Sequence, residues 1–271
     1  MSTKGSKVVL VTGASSGIGR ACAELLSARG HTVYGTSRKP SPGPAGYRML
    51  EMDVTRDESV QKAVATVLEE QGHVDVVVNN AGYALAGPIE ETSIEEAQRQ
   101  LDTNFFGVLR VCHAVLPFMR ARGSGLIVNM SSLGGVVGLP FQGLYSASKF
   151  ALEGLTESLR QEVASFGIQV TSLQPGDVRT PITENRVRVQ RCGPESTYRR
   201  AFETALGIIE KEERAGASVE LVARQVLALV DRKQVGVRYS VGHLSQRLLA
   251  STKAFLPARL FERILMSYYG L

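Results

Sequence analysis

The sequence predicts an α/β fold, a doubly wound parallel sheet of about seven strands in three layers, with helices on both faces. Three observations predict it. Short apolar runs, several of them rich in valine, alternate with longer stretches of helical periodicity. The first such run passes at once into a glycine-rich turn and then a helix. Residues able to carry chemistry recur just beyond the runs, at Gly13, Asn79, Ser132 and Pro175. Ligands of doubly wound sheets bind beyond the carboxyl ends of the strands, so four separate segments converge on one edge.

Val8 to Val11 is the first buried strand. It feeds Thr12-Gly13-Ala14-Ser15-Ser16-Gly17-Ile18-Gly19 and then a helix from about Arg20 to Arg29, closed by Gly30. Thr32 to Ser37 is the second strand. Lys39 to Gly46, rich in proline and glycine, is a loop. Arg48 to Met52 is the third strand, ending at Asp53, and Asp57 to Gln71 is a helix. Val74 to Val78 is the fourth strand. Ile94 to Met119 is one long helical stretch, kinked or ended by Pro117. Leu126 to Met130 is the fifth strand, Tyr145 to Phe166 a helix and Ile168 to Leu173 the sixth strand. No linker divides the chain, and residues 1–271 read as one domain.

Composition narrows the function classes. The chain is 44% hydrophobic and 21% charged, with a formal net charge of +5 and no block of Lys and Arg. That argues against a nucleic-acid interface and is compatible with an anionic ligand. Three widely separated cysteines, Cys22, Cys112 and Cys192, have neither disulfide nor metal-ligand spacing, so no metal is expected and a reducing, cytoplasmic setting is. The start, Met1 to Lys7, lacks a signal-peptide pattern, and no apolar run reaches the roughly 18 residues of a membrane span.

Three stretches carry the chemistry. Gly13, Gly17 and Gly19 sit between a strand and a helix, where glycine lets backbone approach a pyrophosphate and the helix N-terminus offers free N–H groups. Their spacing is Gly-x-x-x-Gly-x-Gly rather than the commoner Gly-x-Gly-x-x-Gly. The second strand ends at Ser37-Arg38-Lys39, where NAD-binding sheets carry a carboxylate for the ribose 2′-hydroxyl. Its replacement by Ser37 and two cations favours a 2′-phosphate, hence NADP(H) over NAD(H). Tyr145 and Lys149 lie four residues apart, on one face of a helix. A nearby cation favours the phenolate, which suits the pair to exchange a proton with an alcohol or ketone.

Together these residues resemble the short-chain dehydrogenase/reductase family. The matches are Thr-Gly-x-x-x-Gly-x-Gly at 12–19, Asn-Asn-Ala-Gly at 79–82, Asn104, Ser132, Tyr-x-x-x-Lys at 145–149 and Pro-Gly at 175–176, covering residues 7 to about 181. The resemblance implies a Rossmann-fold oxidoreductase. Tyr145 is then the general acid–base, Lys149 lowers its pKa and holds the nicotinamide ribose, Ser132 polarises the carbonyl, and Asn104 organises a proton-relay water. Thr12, Gly13, Ser15, Ser16, Gly17, Ile18 and Gly19 would line the phosphate and adenosine half, with Ser37 and Arg38 at the 2′ position and Asp53 and Val54 at the adenine. Asn79, Ala81 and Gly82 would wall the cofactor, and Pro175, Gly176, Val178 and Thr180 would approach the nicotinamide. Family members are dimers or tetramers, so a homodimer or homotetramer is implied. A rival reading is a catalytically silent NADP(H)-sensing or scaffold protein on the same fold; the presence of Asn104, Ser132, Tyr145 and Lys149 together favours the enzyme.

Gly134 to Phe141 leading to Tyr145, and Ser148 to Leu155 after it, are similar to the estradiol 17β-dehydrogenase and retinol dehydrogenase branch. That implies a lipophilic alcohol or carbonyl substrate, with Gly134 and Gly138 beside it and Tyr145 reacting with it. The segment from about 182 to 217 is expected as a substrate lid of two short helices around Gly193-Pro194. It lacks the branch's steroid-contacting pattern and is rich in arginine (Arg186, Arg188, Arg191, Arg199, Arg200), which reads either as a site for an acidic lipid or as a solvated basic face. The tail from about 244 to 271 has amphipathic helical spacing broken at Pro257. It is expected to cover the cleft or pack on a partner subunit, with weak peripheral membrane contact as the alternative.

Overall fold

The structure is a computed structural model describing residues 5–41 and 46–271. The readings made on residues 1–4, and on the 42–45 part of the proline-rich loop, lie outside the described residues. The strands are β1 (Val8–Val11), β2 (Thr32–Ser37), β3 (Arg48–Glu51), β4 (Val76–Asn79), β5 (Leu85–Ala86), β6 (Gly125–Met130), β7 (Ile168–Pro175), β8 (Val187–Arg188) and β9 (Arg238–Val241). The helices are α1 (Gly17–Ala28), α2 (Asp57–Gln71), α3 (Ile94–Leu101), α4 (Gly107–Arg122), α5 (Gly143–Glu162), α6 (Arg199–Ala215), α7 (Val219–Val230), α8 (Leu244–Thr252) and α9 (Ala258–Tyr268).

Seven strands form one sheet in the order β3-β2-β1-β4-β6-β7-β9, every pairing parallel. The sequence-based expectation of a doubly wound parallel sheet therefore holds. Strand order reverses between β1 and β4, and this reversal opens a crevice at their carboxyl ends. Alternate side chains leave a strand on opposite faces, which divides the core in two. Leu10, Val77, Ile127 and Val170 pack against Val60 and Val64 of α2, Val111 and Val115 of α4, and Leu152 of α5. Val9, Val11, Val78 and Val128 pack against Cys22 and Leu26 of α1 and Val222 and Val226 of α7.

Several boundaries differ from expectation. Helix α1 begins at Gly17 rather than Arg20, and α5 at Gly143 rather than Tyr145, so Tyr145 lies in its first turn. The expected helix from Ile94 to Met119 is interrupted, but at Asp102–Phe106, which form a turn of π-helix, and not at Pro117, which sits inside α4. The Gly107 N–H bonds back to the Asp102 carbonyl, five residues earlier. Glycine is required at 107, because a Cβ there would meet the Val54 side chain at 2.8 Å. The 182–217 segment holds one helix, α6, and the short strand β8 paired with β5, instead of two helices about Gly193-Pro194. The deciding contacts are long-range: the Val187 and Val189 N–H groups donate to the Ala84 and Ala86 carbonyls at 3.0 and 2.9 Å. The tail divides at Pro257, as expected, and Pro257 caps α9.

Candidate active site

The glycine loop is fastened to the neighbouring strand end. Thr12 Oγ1 accepts from the Asn80 and Ala81 N–H groups, both at 2.9 Å. The Asn80 amide donates back to the Thr12 and Gly13 carbonyls at 2.9 and 3.2 Å. Gly13 has φ 66°, and a Cβ on it would lie 2.9 Å from the Ala81 Cα. At Gly19 a Cβ would overlap the Gly13 carbonyl oxygen. The result is a tight turn that aims the N-terminus of α1 into the crevice. Ser16, the N-cap, makes no side-chain cap bond, so the first-turn N–H groups gain nothing from it.

Ser132 follows β6. Its Oγ accepts from the Gly134 N–H at 3.0 Å and hydrogen-bonds the Tyr145 side chain. Burial pushes the Tyr145 phenol above its ordinary pKa, and the Ser132 bond works in the opposite direction. Lys149 Nζ lies 5.8 Å from the Tyr145 ring centre and donates to the Met130 carbonyl at 2.8 Å. Burial lowers the Lys149 pKa to about 8, opposed by Glu153. Desolvation is the largest influence on the Tyr145 phenol and raises its pKa overall.

These groups share one cavity of about 1080 Å³. Of the expected residues, Gly13, Ser15, Ser16, Gly17, Ile18, Ser37, Arg38, Asp53, Val54, Ala81, Gly82, Ser132, Gly134, Tyr145, Lys149, Pro175, Gly176, Val178 and Thr180 line it. Thr12, Gly19, Asn79, Asn104 and Gly138 do not. Thr12 and Gly19 build the turn from behind. Asn79 points into the sheet interior and donates to Asn129 Oδ1 at 2.9 Å, so its expected place in the cofactor wall is not met. Asn104, in the π-turn, accepts from the Tyr83 N–H at 3.1 Å and donates to the Tyr83 carbonyl and Ser148 Oγ at 3.0 and 3.2 Å. Its side chain ties three segments together behind the cavity. Gly138 does not line the cavity, and a Cβ on it would meet nothing within 4 Å.

At the nucleotide half, Ser37 Oγ is buried without a partner beside Arg38. Burial works to raise the Asp53 pKa, but hydrogen bonds from Thr55 and the charges of Arg38 and Arg56 hold it below the usual carboxylate value. The glycine cradle, the open helix terminus and the orphan hydroxyl fit a dinucleotide bearing a phosphate.

The opposite half is built by Leu133, Val137, Leu139, Ile209, Leu249 and Leu265. No arginine of the 182–217 segment lines it; that segment contributes Ile182, Asn185, Val187, Ile209, Glu212 and Glu213. Arg188 instead pairs with Glu203 on the outside at 3.0 Å. The tail closes this half with Gln246 and Leu249 of α8 and Leu265 and Tyr268 of α9, plus Tyr269. It is held down by Lys253, which donates to the Val136 carbonyl at 2.6 Å.

The chain matches the family model described as short chain dehydrogenase over residues 7–191. It is a short-chain dehydrogenase/reductase. The 3-ketodihydrosphingosine reductase of Bacteroides thetaiotaomicron is 46% identical to it over 265 residues, 98% of each chain. Estradiol 17-beta-dehydrogenase 1 of Rattus norvegicus is 36% identical over 278 residues, 93% of this chain and 75% of that one. Among solved structures, a short-chain dehydrogenase from Streptomyces avermitilis superposes with a TM-score of 0.80 at 35% identity, covering 97% of this chain and 98% of its own. One from Burkholderia phymatum in complex with NAD gives 0.81 at 26% identity over 94% and 95%. A serine dehydrogenase complexed with NADP+ gives 0.75 at 25% over 88% and 95%. The dehydrogenase is thus an oxidoreductase of a family whose members bind NAD or NADP.

Sequence reasoning missed Asn80, whose clamp carries no motif distinct from that of its neighbour Asn79. It also missed Asp177, in the turn directly after β7, and Glu212 and Glu213, which the long connection through α6 brings to the cleft. Burial raises the Asp177 pKa to about 6, with Glu213 adding to the effect. A carboxyl raised in the folded state is penalised when ionised; the penalty is complete above about pH 6 and absent below the unfolded value of about 4. Asp177→Asn should therefore raise the melting temperature at pH 7.5, and the gain should vanish by about pH 4. Thermal scans across that range check it; a gain independent of pH would contradict the assigned cause.

Proposed function

We propose that this dehydrogenase is an NADP(H)-dependent reductase of a long-chain ketone, of the 3-keto sphingoid-base kind named for its 46% identical relative. The observation that carries the reading is the convergence of Ser132, Tyr145 and Lys149 on one cavity whose other half carries Leu133, Val137, Leu139, Ile209, Leu249 and Leu265 alongside Glu212 and Glu213. The bound reduced nicotinamide would supply hydride to the carbonyl carbon. The chain's own groups do the rest. Ser132 Oγ, held by the Gly134 N–H and beside the Tyr145 hydroxyl, would turn its proton to the carbonyl oxygen when substrate binds. Tyr145 keeps its proton at neutral pH, because burial raises its pKa, and gives it to the oxygen as negative charge develops there. The Lys149 ammonium beside the ring favours the phenolate left behind. Asn104 is a positioning residue, holding Ser148, whose Oγ donates to the Tyr145 carbonyl at 2.6 Å. Ser37 and Arg38 would hold the 2′-phosphate, which supports NADP(H) over NAD(H).

The outer face of the tail belongs to the same reading. Leu244, Leu248 and Phe255 are exposed (65%, 56% and 86%), with Arg247, Arg259 and Arg263 also at the surface. The inner face of the same helices closes the substrate half of the cavity. An amphipathic tail of this kind suits a peripheral contact with an anionic lipid surface, from which a lipid substrate would enter.

Tyr145→Phe should cut turnover of a long-chain ketone by about 10²–10⁴ while NADPH still quenches protein fluorescence; near-normal turnover would remove the mechanism. Ser37→Asp should weaken NADPH and favour NADH in paired titrations, and equal binding of both cofactors by the unmodified protein would remove the 2′-phosphate assignment. In flotation with anionic liposomes at low salt the protein should rise with the vesicles, and Phe255→Ser with Leu248→Ser should reduce the floating fraction; no flotation at all would dismiss the lipid contact.

A further inference from the structure

We infer that the side-chain amide of Gln142 is a specificity-determining group that hydrogen-bonds a hydroxyl of the substrate beside the reacting carbonyl. This rests on the ketone-reductase reading and adds the residue that reads the substrate's polar end.

Gln142 lines the cavity and is 3% exposed. It is the N-cap of α5, yet its side chain makes no cap bond, and it has no other hydrogen-bond partner among the described residues. The little surface it keeps faces the cavity it lines. An amide taken out of bulk water without partners is costly, and a ligand group that completes it removes that cost.

The backbone that presents this amide is pinned on both sides. The Gln142 N–H donates to the Leu139 carbonyl at 3.2 Å, and the Gln142 carbonyl accepts from the Ser146 N–H at 2.8 Å. Phe141 before it has φ 57° and is the only non-glycine residue in the left-handed region among the described residues. The Phe141 carbonyl accepts from the Gly87 N–H at 2.8 Å, and its ring meets Phe202 of α6 edge-on at 5.6 Å. Gly143 after it lies against Ile89, whose Cδ1 a Cβ would meet at 2.7 Å. A bulky residue in the left-handed region is strained, and such strain persists where surrounding contacts impose it, commonly at a site. Here it places a free amide on the cavity wall three residues before Tyr145.

The reacting groups border the same turn. A Cβ on Gly134 would lie 3.2 Å from Leu139 Cδ1 and 3.4 Å from both Ser132 Oγ and Tyr145 Cε1, so turn, serine and tyrosine meet around one point. With the carbonyl oxygen taken by Ser132 and Tyr145, the amide is left for the next polar group along the substrate. Its oxygen accepts and its nitrogen donates. A hydroxyl serves either end, whichever way the amide is turned; an ammonium serves only the oxygen, and an alkyl chain neither.

The test compares 1-hydroxydodecan-3-one with dodecan-3-one in wild type and in Gln142→Met, which keeps the length of the side chain and removes the amide. The readout is the ratio of their kcat/KM values. Wild type should favour the hydroxy ketone, because the plain ketone leaves the amide unpaired. Gln142→Met should lower the ratio about ten-fold, chiefly through KM. If Gln142 served only to start α5, both ketones would lose equally; a ratio untouched by Gln142→Met overturns the assignment. A second measurement does not depend on turnover. With NADPH present, dodecane-1,3-diol should raise the melting temperature of wild type at concentrations about ten-fold below those at which dodecan-3-ol acts; equal effects of the two alcohols overturn the inference. Wild type that reduces neither ketone would refute the reductase reading, and the comparison of the alcohols would still decide whether the cleft reads a hydroxyl.

Discussion

The clamp between Thr12 and Asn80 is the constraint on which the rest of the cleft depends. Where strand order reverses, β1 and β4 run parallel and their chains then part in opposite directions. Left alone, the backbone groups beyond the last ladder bonds would be buried without partners. One hydroxyl and one amide satisfy four of them. That fixes the glycine loop against Ala81 closely enough that neither Gly13 nor Gly19 has space for a methyl group.

The other half of the site is held by buried polar chains that cross between elements. Asn129 donates to Thr156 on α5 at 2.9 Å and accepts from Asn79 on β4. Asn104 joins the π-turn to α5 and to the segment after β4. The extra residue of the π-turn belongs with this network, since Gly107 after it packs against Val54 at the cavity wall. Tyr145 and Lys149 are thereby mounted on the start of a helix anchored on several sides. Their charge states follow from burial first: the phenol is kept neutral and the ammonium is brought to about 8. Both are suited to a reaction in which a proton leaves the tyrosine only when charge appears beside it.

Sequence analysis found the strands, the glycine loop and the Ser132, Tyr145 and Lys149 set because each is written locally. Apolar runs mark buried parallel strands, glycine spacing marks a phosphate turn, and a four-residue interval marks one helical face. The same reasoning misassigned Asn79 and overlooked Asn80. Neighbouring residues at a strand end face opposite ways, and the composition of a two-asparagine pair holds nothing to say which faces the sheet. It likewise placed the break of the long helix at Pro117, where a propensity rule pointed, while the turn formed at Asp102–Phe106, where packing required it.

The sequence by itself determined the sheet, the edge at which the crevice opens and which candidate groups meet there. Tertiary structure decided the character of the substrate half. Of the arginine-rich segment, Glu212 and Glu213 are the charged groups that reach the cavity, while the pairing of β8 with β5 fixes the segment's course. The arginines are then spent outward or, as with Arg186, against Glu213. Contacts between residues about a hundred positions apart set that choice, and no local pattern encodes it.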